Sequence, residues 1–209
     1  MDAINTDRLI RDQAGLDALY GESPIGAIAK EITYIHPHYR AMIEASPFVV
    51  IATSGPEGLD CSPRGDPAGF VHVLDEKTLL IPDRRGNNRI DTLRNIVRDD
   101  RIALLFLIPG VGETMRVNGR ASISTAPELI GRFPYRGTLP RSVIIVRAET
   151  VYFQCPKALV RSELWNPEKH ISRKSLPSTG TILADITAGK VGGEQYDRDY
   201  PERLRTTIY

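Results

Sequence analysis

Between residues 84 and 89 the chain reads Arg-Arg-Gly-Asn-Asn-Arg, directly after an apolar run ending at Pro82 and Asp83. Three guanidinium groups and two carboxamides crowd one strand-to-helix junction. So many donors at a helix start suit an anion, phosphate above all. Asn88 is placed to cap the following helix, with Asp91 three residues on as an approximate capping box. Ile90, Leu93 and Val97 supply that helix with a buried stripe. Its first free N–H groups and the positive end of its dipole would meet an anion beside Arg89. Asn88 and Arg89 are therefore the expected phosphate contacts. Arg84 and Arg85 precede Gly86 and are expected at the outer edge of the loop, screened by water and salt. A solvated basic turn would read the same way from these residues alone.

Other chemistries find little support. Gly86 is the only glycine of the loop, which excludes a P-loop, and "GVG" at 110–112 leads into an alternating strand instead of a dinucleotide-binding helix. His36 and His38 lack a cysteine or acidic partner at ligand spacing, so no metal is expected. No G-x-S-x-G is present, and neither Cys61 nor Cys155 has a neighbouring histidine. Trp165 reads as core or as a cover for a planar ligand. A chain without an acid–base pair, nucleophile or metal points to a cofactor that brings its own reactivity.

The whole sequence bounds the partners. It has 209 residues, with 27 basic and 26 acidic side chains for a formal charge of +1. That near-balance argues against nucleic acid as a partner and makes any phosphate recognition local. Two cysteines are too few for a disulfide framework and fit a reducing compartment. The first residues, "MDAINTDRLIRDQ", lack the apolar core of a signal peptide, and "IALLFLI" at 102–108 is too short to span a bilayer. A cytoplasmic protein with no membrane partner is expected.

The elements that must position the loop follow from pattern. Residues 1–46 read as helical. Thr6 caps a first helix to about Leu19, ended by Gly21. Ser23 and Pro24 start a second, on which Ile25, Ile28, Ile32 and Ile35 follow helical spacing. Pro37 interrupts it, and the pattern restarts until Pro47. Strands are expected at 47–53, 59–65, 70–74, 78–81, 101–108, 113–124 and 142–154. The continuous apolarity of 101–108 implies burial on both faces. In 113–124, Met115, Val117, Ala121 and Ile123 alternate with Arg116, Asn118, Arg120 and Ser122. A helix at about 88–98 interrupts the strands, a short one follows at 156–165, and a polar tail runs to Tyr209. This is one domain, mainly β with flanking helices: N-terminal helices over 1–46, a small barrel over 47–155, and a helix and tail over 156–209.

Three segments, "LDCSPRGDPAGFV", "LLIPDRRGNNRIDTLRNIVRDDRIALLFLIPG" and "ETMRVNGRASI", together resemble the pyridoxamine 5′-phosphate oxidase-like family over about residues 45–155. The resemblance implies an FMN-binding split β-barrel, usually a homodimer with flavin at the interface. By position it places Asn88 and Arg89 on the FMN phosphate, with Ile81 and Pro82 just before them. Ser62, Pro63 and Arg64 fall on the strand whose edge meets the flavin ring, and Thr114 and Arg116 on a strand reaching it from the dimer partner. Arg161 and Trp165 take the place of a late arginine and tryptophan. An arginine beside the ring would favour the reduced flavin by charge complementarity, Arg64 first and Arg116 second. The "RLHDR"-like segment and C-terminal "RL.P" end of authentic pyridoxamine phosphate oxidases are missing, so vitamin B6 is not the expected substrate. The resemblance thus implies an FMN-dependent oxidoreductase acting on a small molecule. The alternative is a split barrel that holds flavin or haem without turnover.

Overall fold

A computed structural model describes residues 8–209. It divides into two compact units, one ending at Glu31 and one running from Ile32 to Tyr209. In the first, α1 (Gln13–Tyr20) starts where Asp12 accepts the Gly15 N–H at 2.9 Å, and Gly21, at φ 67°, ends it. The cap expected at Thr6 lies outside the described residues. The second helix is much shorter than its isoleucine spacing implied: α2 spans only Ile25–Ala29.

In the second unit Ile32 pairs with Val151 as an isolated antiparallel bridge, with backbone bonds of 3.1 and 2.7 Å. Its β-branched side chain suits that extended pairing better than a continued helix. Helix α3 (Pro37–Ala45) has Pro37 in its first turn, and His36 Nδ1 accepts the His38 N–H at 3.2 Å. The His-Pro-His run is thus a helix start.

Seven antiparallel strands follow: β1 (Phe48–Gly55), β2 (Gly58–Gly65), β3 (His72–Asp75), β4 (Thr78–Asp83), β5 (Arg101–Leu107), β6 (Thr114–Ser124) and β7 (Ser142–Gln154). Their order in the sheet is β2-β1-β5-β6-β7-β4-β3. Val49 and Ile51 of β1 share one core with Leu79 and Ile81 of β4, four places away in that order. The sheet therefore curls onto itself as a barrel while β2 and β3 remain its edges. Helix α4 (Asp91–Arg98) contributes Ile96 to the core, and α3 contributes Ile43. The buried side of α4 carries Thr92 and Ile96, whereas Val97, expected there, is exposed.

Strand β5 departs from the expectation of burial on both faces. Ile102, Leu104 and Phe106 are buried, whereas Ala103, Leu105 and Leu107 are half-buried. In β7 the inward set changes from Ile144, Val146 and Ala148 to Val151. A bulge causes this: Asn118 pairs with Thr150 and Gly119 with Ala148, so Glu149 is the extra residue. Helices α5 (Pro127–Ile130) and α6 (Lys157–Ser162) flank the sheet. The expected polar tail instead folds into α7 (Thr179–Ile186) and α8 (Gly193–Thr207), joined where Asp197 accepts both the Ser178 hydroxyl and the Gly180 N–H. No helix among the described residues is long and apolar enough to cross a membrane.

His72, on edge strand β3, lies against Phe133 with ring centroids 4.2 Å apart. Burial, then Arg132, pushes its imidazole below the usual range, with Glu44 acting in the opposite direction. A depressed folded value means the folded chain resists taking up this proton. The stability involved is complete above the unfolded value of about 6.5 and is lost as pH falls through the folded one. His72→Phe should therefore flatten the acid side of the stability curve. Thermal melts from neutral to mildly acidic pH check this, and equal slopes for variant and wild type would refute it.

Candidate functional site

Asp60, Ser62 and Arg64 share the inward face of β2, while Cys61 and Pro63 point outward and are exposed. Asp60 anchors the neighbouring helix, taking the Thr92 hydroxyl at 2.6 Å and the Ser62 hydroxyl at 2.9 Å. Arg64 reaches across to Asp83 at the end of β4, with 3.3 Å between guanidinium nitrogen and carboxylate. These strands stand first and sixth in the sheet, so the ion pair bridges the open side of the barrel. Arg141 joins from the residue before β7, its N–H donating to the Asp83 carbonyl at 3.2 Å and its guanidinium to the Asn88 side-chain oxygen at 3.1 Å.

Arg64, Asp83, Asn88 and Arg141 line a cavity of about 180 Å³ with Arg84, Arg85 and Ser142. Four arginines and one aspartate make its wall strongly basic. The Arg64 Nε is enclosed and has no hydrogen-bond partner. A buried charged donor without an acceptor is costly, and an anionic oxygen would supply what is missing. Burial raises the Asp83 carboxyl above the usual range, with Arg64 and Arg141 opposing. A second cavity, of about 230 Å³, adjoins through Arg64, Arg84, Arg85 and Gly86 and includes Pro63 and Pro82.

The helix cap differs from expectation. Ile90 occupies that position, at φ 52°, and no side chain caps α4. Asn88 is also left-handed, at φ 61°. Left-handed backbone is tolerated by asparagine but strained for a β-branched residue. The two turns around Arg89 splay the loop. Asn88 lines the basic cavity, while Arg89 lines a separate pocket with Asp60, Arg94 and Arg98. Arg89 there pairs with Asp91 and is 79% exposed.

Arg84 also departs from its expected place. It is 17% exposed, its Nε donating to Asp66 at 2.7 Å and its Nη1 to the Phe133 carbonyl at 2.8 Å. Arg84 is a structural residue, and only Arg85 is exposed as expected.

Ile81 is fully buried in the core. Thr114 is buried at the start of β6, opposite Gln154. Arg116 lies over the Tyr152 ring, 5.3 Å from its centroid. Arg161 is exposed on α6, and the Trp165 indole donates to the Val111 carbonyl at 2.8 Å, pinning the β5–β6 connection. None of these last four lines the basic cavities. Asp83 and Arg141 were missed from sequence. The β4–β7 register, Asp83 opposite Ser142, is the signal that brings them together.

The family model described as pyridoxamine 5′-phosphate oxidase matches residues 35–155, more than half of the chain. The chain belongs to the pyridoxamine 5′-phosphate oxidase family. The match to this oxidase family takes in the sheet and every residue lining the smaller basic cavity, and ends before Arg161, Trp165 and the Ile208 and Tyr209 of the larger one. No curated protein matches the chain. Among solved structures, HupZ from Group A Streptococcus is 21% identical, over 56% of this chain and 91% of its own, with a TM-score of 0.46. An FMN-binding protein from Syntrophomonas wolfei subsp. wolfei is 12% identical, over 55% of this chain and 82% of its own, with a TM-score of 0.44. A protein named F420 reductase is 17% identical, over 57% and 98%, with a TM-score of 0.41.

Proposed function

We propose that this member of the pyridoxamine 5′-phosphate oxidase family is an FMN-dependent oxidoreductase acting on a small molecule. The observation that carries the reading is the arginine-lined cavity at the end of β4, where the Arg64 Nε lacks an acceptor. FMN, when bound, supplies the ring that accepts and returns a hydride. Arg64, Arg85 and Arg141 are assigned to its phosphate, with charge-assisted hydrogen bonds that fix one end of the ligand. Asn88, whose side-chain oxygen takes Arg141, has its NH₂ to offer as a further donor. Asp83 keeps Arg64 and Arg141 converged on the cavity and stands as an acceptor for a hydroxyl. This moves the phosphate from the helix start to the strand end, and frees Arg64 from the ring-side role. Pro63 and Pro82 remain assigned to the wall of the adjoining cavity, while Ser62, bonded to Asp60, lines neither cavity and acts through that strand; Arg116 and Thr114 are assigned to the flavin of a partner subunit.

The half-buried outer face of β5, with Ala103, Leu105 and Leu107, favours a homodimer that covers it. A monomer by light scattering that still binds one FMN per chain would end that assignment.

Calorimetric titration with FMN and with riboflavin tests the site. Arg64→Ala or Arg141→Ala should each weaken FMN by about tenfold to a hundredfold, the worth of a charge-assisted hydrogen bond, and leave riboflavin nearly unchanged. Arg89→Ala should leave both ligands alone. A larger loss at Arg89 would return the phosphate to the helix start. A colourless protein that takes up neither ligand would refute flavin binding. Bound flavin that no nicotinamide or small organic reductant bleaches would leave a binding protein, and the oxidoreductase reading would fall.

A further inference from the structure

Beyond α8 the chain returns to the larger of the two basic cavities. Ile208 and Tyr209 line it, beside Arg64, Pro82 and Arg84. The Tyr209 hydroxyl donates to Asp66 Oδ1 at 2.9 Å, while Asp66 Oδ2 takes Arg84 at 2.7 Å. The Asp66 side chain is only 1% exposed. The Tyr209 ring lies against Tyr135, 4.6 Å between centroids, and the Arg136 guanidinium stands over both rings at 5.6 and 5.5 Å. Segments that follow a surface helix usually lack such anchors. Burial first, and then the bond to Asp66, push the phenol up to about 12, so it stays a neutral donor at ordinary pH.

We propose that Tyr209 is a strap across the larger basic cavity, latched on Asp66, which must lift for a ligand seated against Arg64 and Arg85 to enter or leave. This rests on the reading of the adjoining cavity, which shares Arg64, Arg84, Arg85 and Gly86 with it, as the seat of the FMN phosphate. Three features join in one place: a side chain on the cavity wall, a buried carboxylate that holds it, and an aromatic partner it can leave and rejoin. The same carboxylate fixes Arg84, the residue preceding Arg85. The latch and the phosphate-facing loop therefore share one anchor. Lifting the strap breaks the hydrogen bond to Asp66, the ring contact with Tyr135 and the contact with the Arg136 guanidinium, and leaves Asp66 paired with Arg84. Opening then exposes no uncompensated buried charge, which makes it a local event.

Two measurements test the strap. The first needs no flavin: phenylglyoxal modifies accessible guanidinium groups, and mass spectrometry reads each site. In the ligand-free protein, Arg64 should be modified about tenfold faster in Tyr209→Ala, with a smaller gain in Tyr209→Phe, as loss of a hydrogen bond to a charged group implies. Exposed Arg101 serves as the reference and should not change. Equal Arg64 rates in wild type and both variants would overturn the strap. The second follows flavin fluorescence in a stopped-flow mixer. FMN association and dissociation should both accelerate in the two variants by similar factors, with the dissociation constant nearly constant. A change in affinity with unchanged association would make Tyr209 a ligand contact and overturn the gate. Faster Arg64 modification in a protein that binds no FMN would leave the strap standing and remove the flavin reading instead.

Discussion

Replacing Arg84 with alanine should lower the unfolding free energy of the ligand-free protein by about 3–5 kcal/mol, the cost of breaking a buried pair by removing one partner. Asp66 is 1% exposed and would be left with only the Tyr209 hydroxyl beside its carboxylate. The Phe133 carbonyl would lose its guanidinium donor as well. Arg85→Ala is the matched control: the same charge is lost one residue on, from an exposed side chain, and the change should stay within about 0.5 kcal/mol. Denaturant unfolding checks both. Equally mild variants would show that Arg84 holds nothing together. Asp66→Ala combined with Arg84→Ala should recover part of the loss, since the stranded charge is then gone.

Gly119→Ala should be comparably damaging for a reason of space. An added Cβ would come within 2.0 Å of the Arg147 carbonyl oxygen and 2.9 Å of its carbon, both backbone atoms of the neighbouring strand. Neither can yield without opening the β6–β7 ladder at its bulge. A loss of about 3 kcal/mol, the upper end of ordinary overpacking, is expected. Ser122→Ala, exposed on the same strand, should leave the melting temperature almost where it was. A Gly119→Ala protein that melts with the wild type would mean that the close approach is relieved at little cost.

These two positions also show what the sequence could and could not disclose. The strands were legible because β6 writes its inward face at a period of two and β5 is a continuous apolar run, and Pro37 and Gly21 mark helix limits by backbone chemistry. The β7 bulge is visible in hindsight as a slip from even to odd apolar positions at Glu149, but only the pairing with Asn118 and Gly119 explains it. In residues 84–89 the choice of an anion-suited loop followed from composition. The direction of each side chain did not. Two left-handed residues, Asn88 and Ile90, turn neighbours toward different cavities, and a helix-cap pattern contains no trace of that. Arg84 was indistinguishable from Arg85 because Asp66, its partner, lies on the far side of the β3–β4 hairpin in sequence. Ile32 looked helical because its spacing was helical, and tertiary pairing with Val151 outweighed it.

The Arg64–Asp83 bridge has a mechanical meaning. Its two strands are first and sixth in the sheet, so the width of the gap they span sums the small rotations between every pair of strands from β2 to β4. A lever of that kind magnifies its input. Exchanging one apolar residue for another in β5 or β6, far from any ligand, changes the coil of the sheet slightly and the jaw at its open side by more. The shape of the basic cavity can therefore drift through substitutions that never touch its wall, while every arginine lining it stays in place.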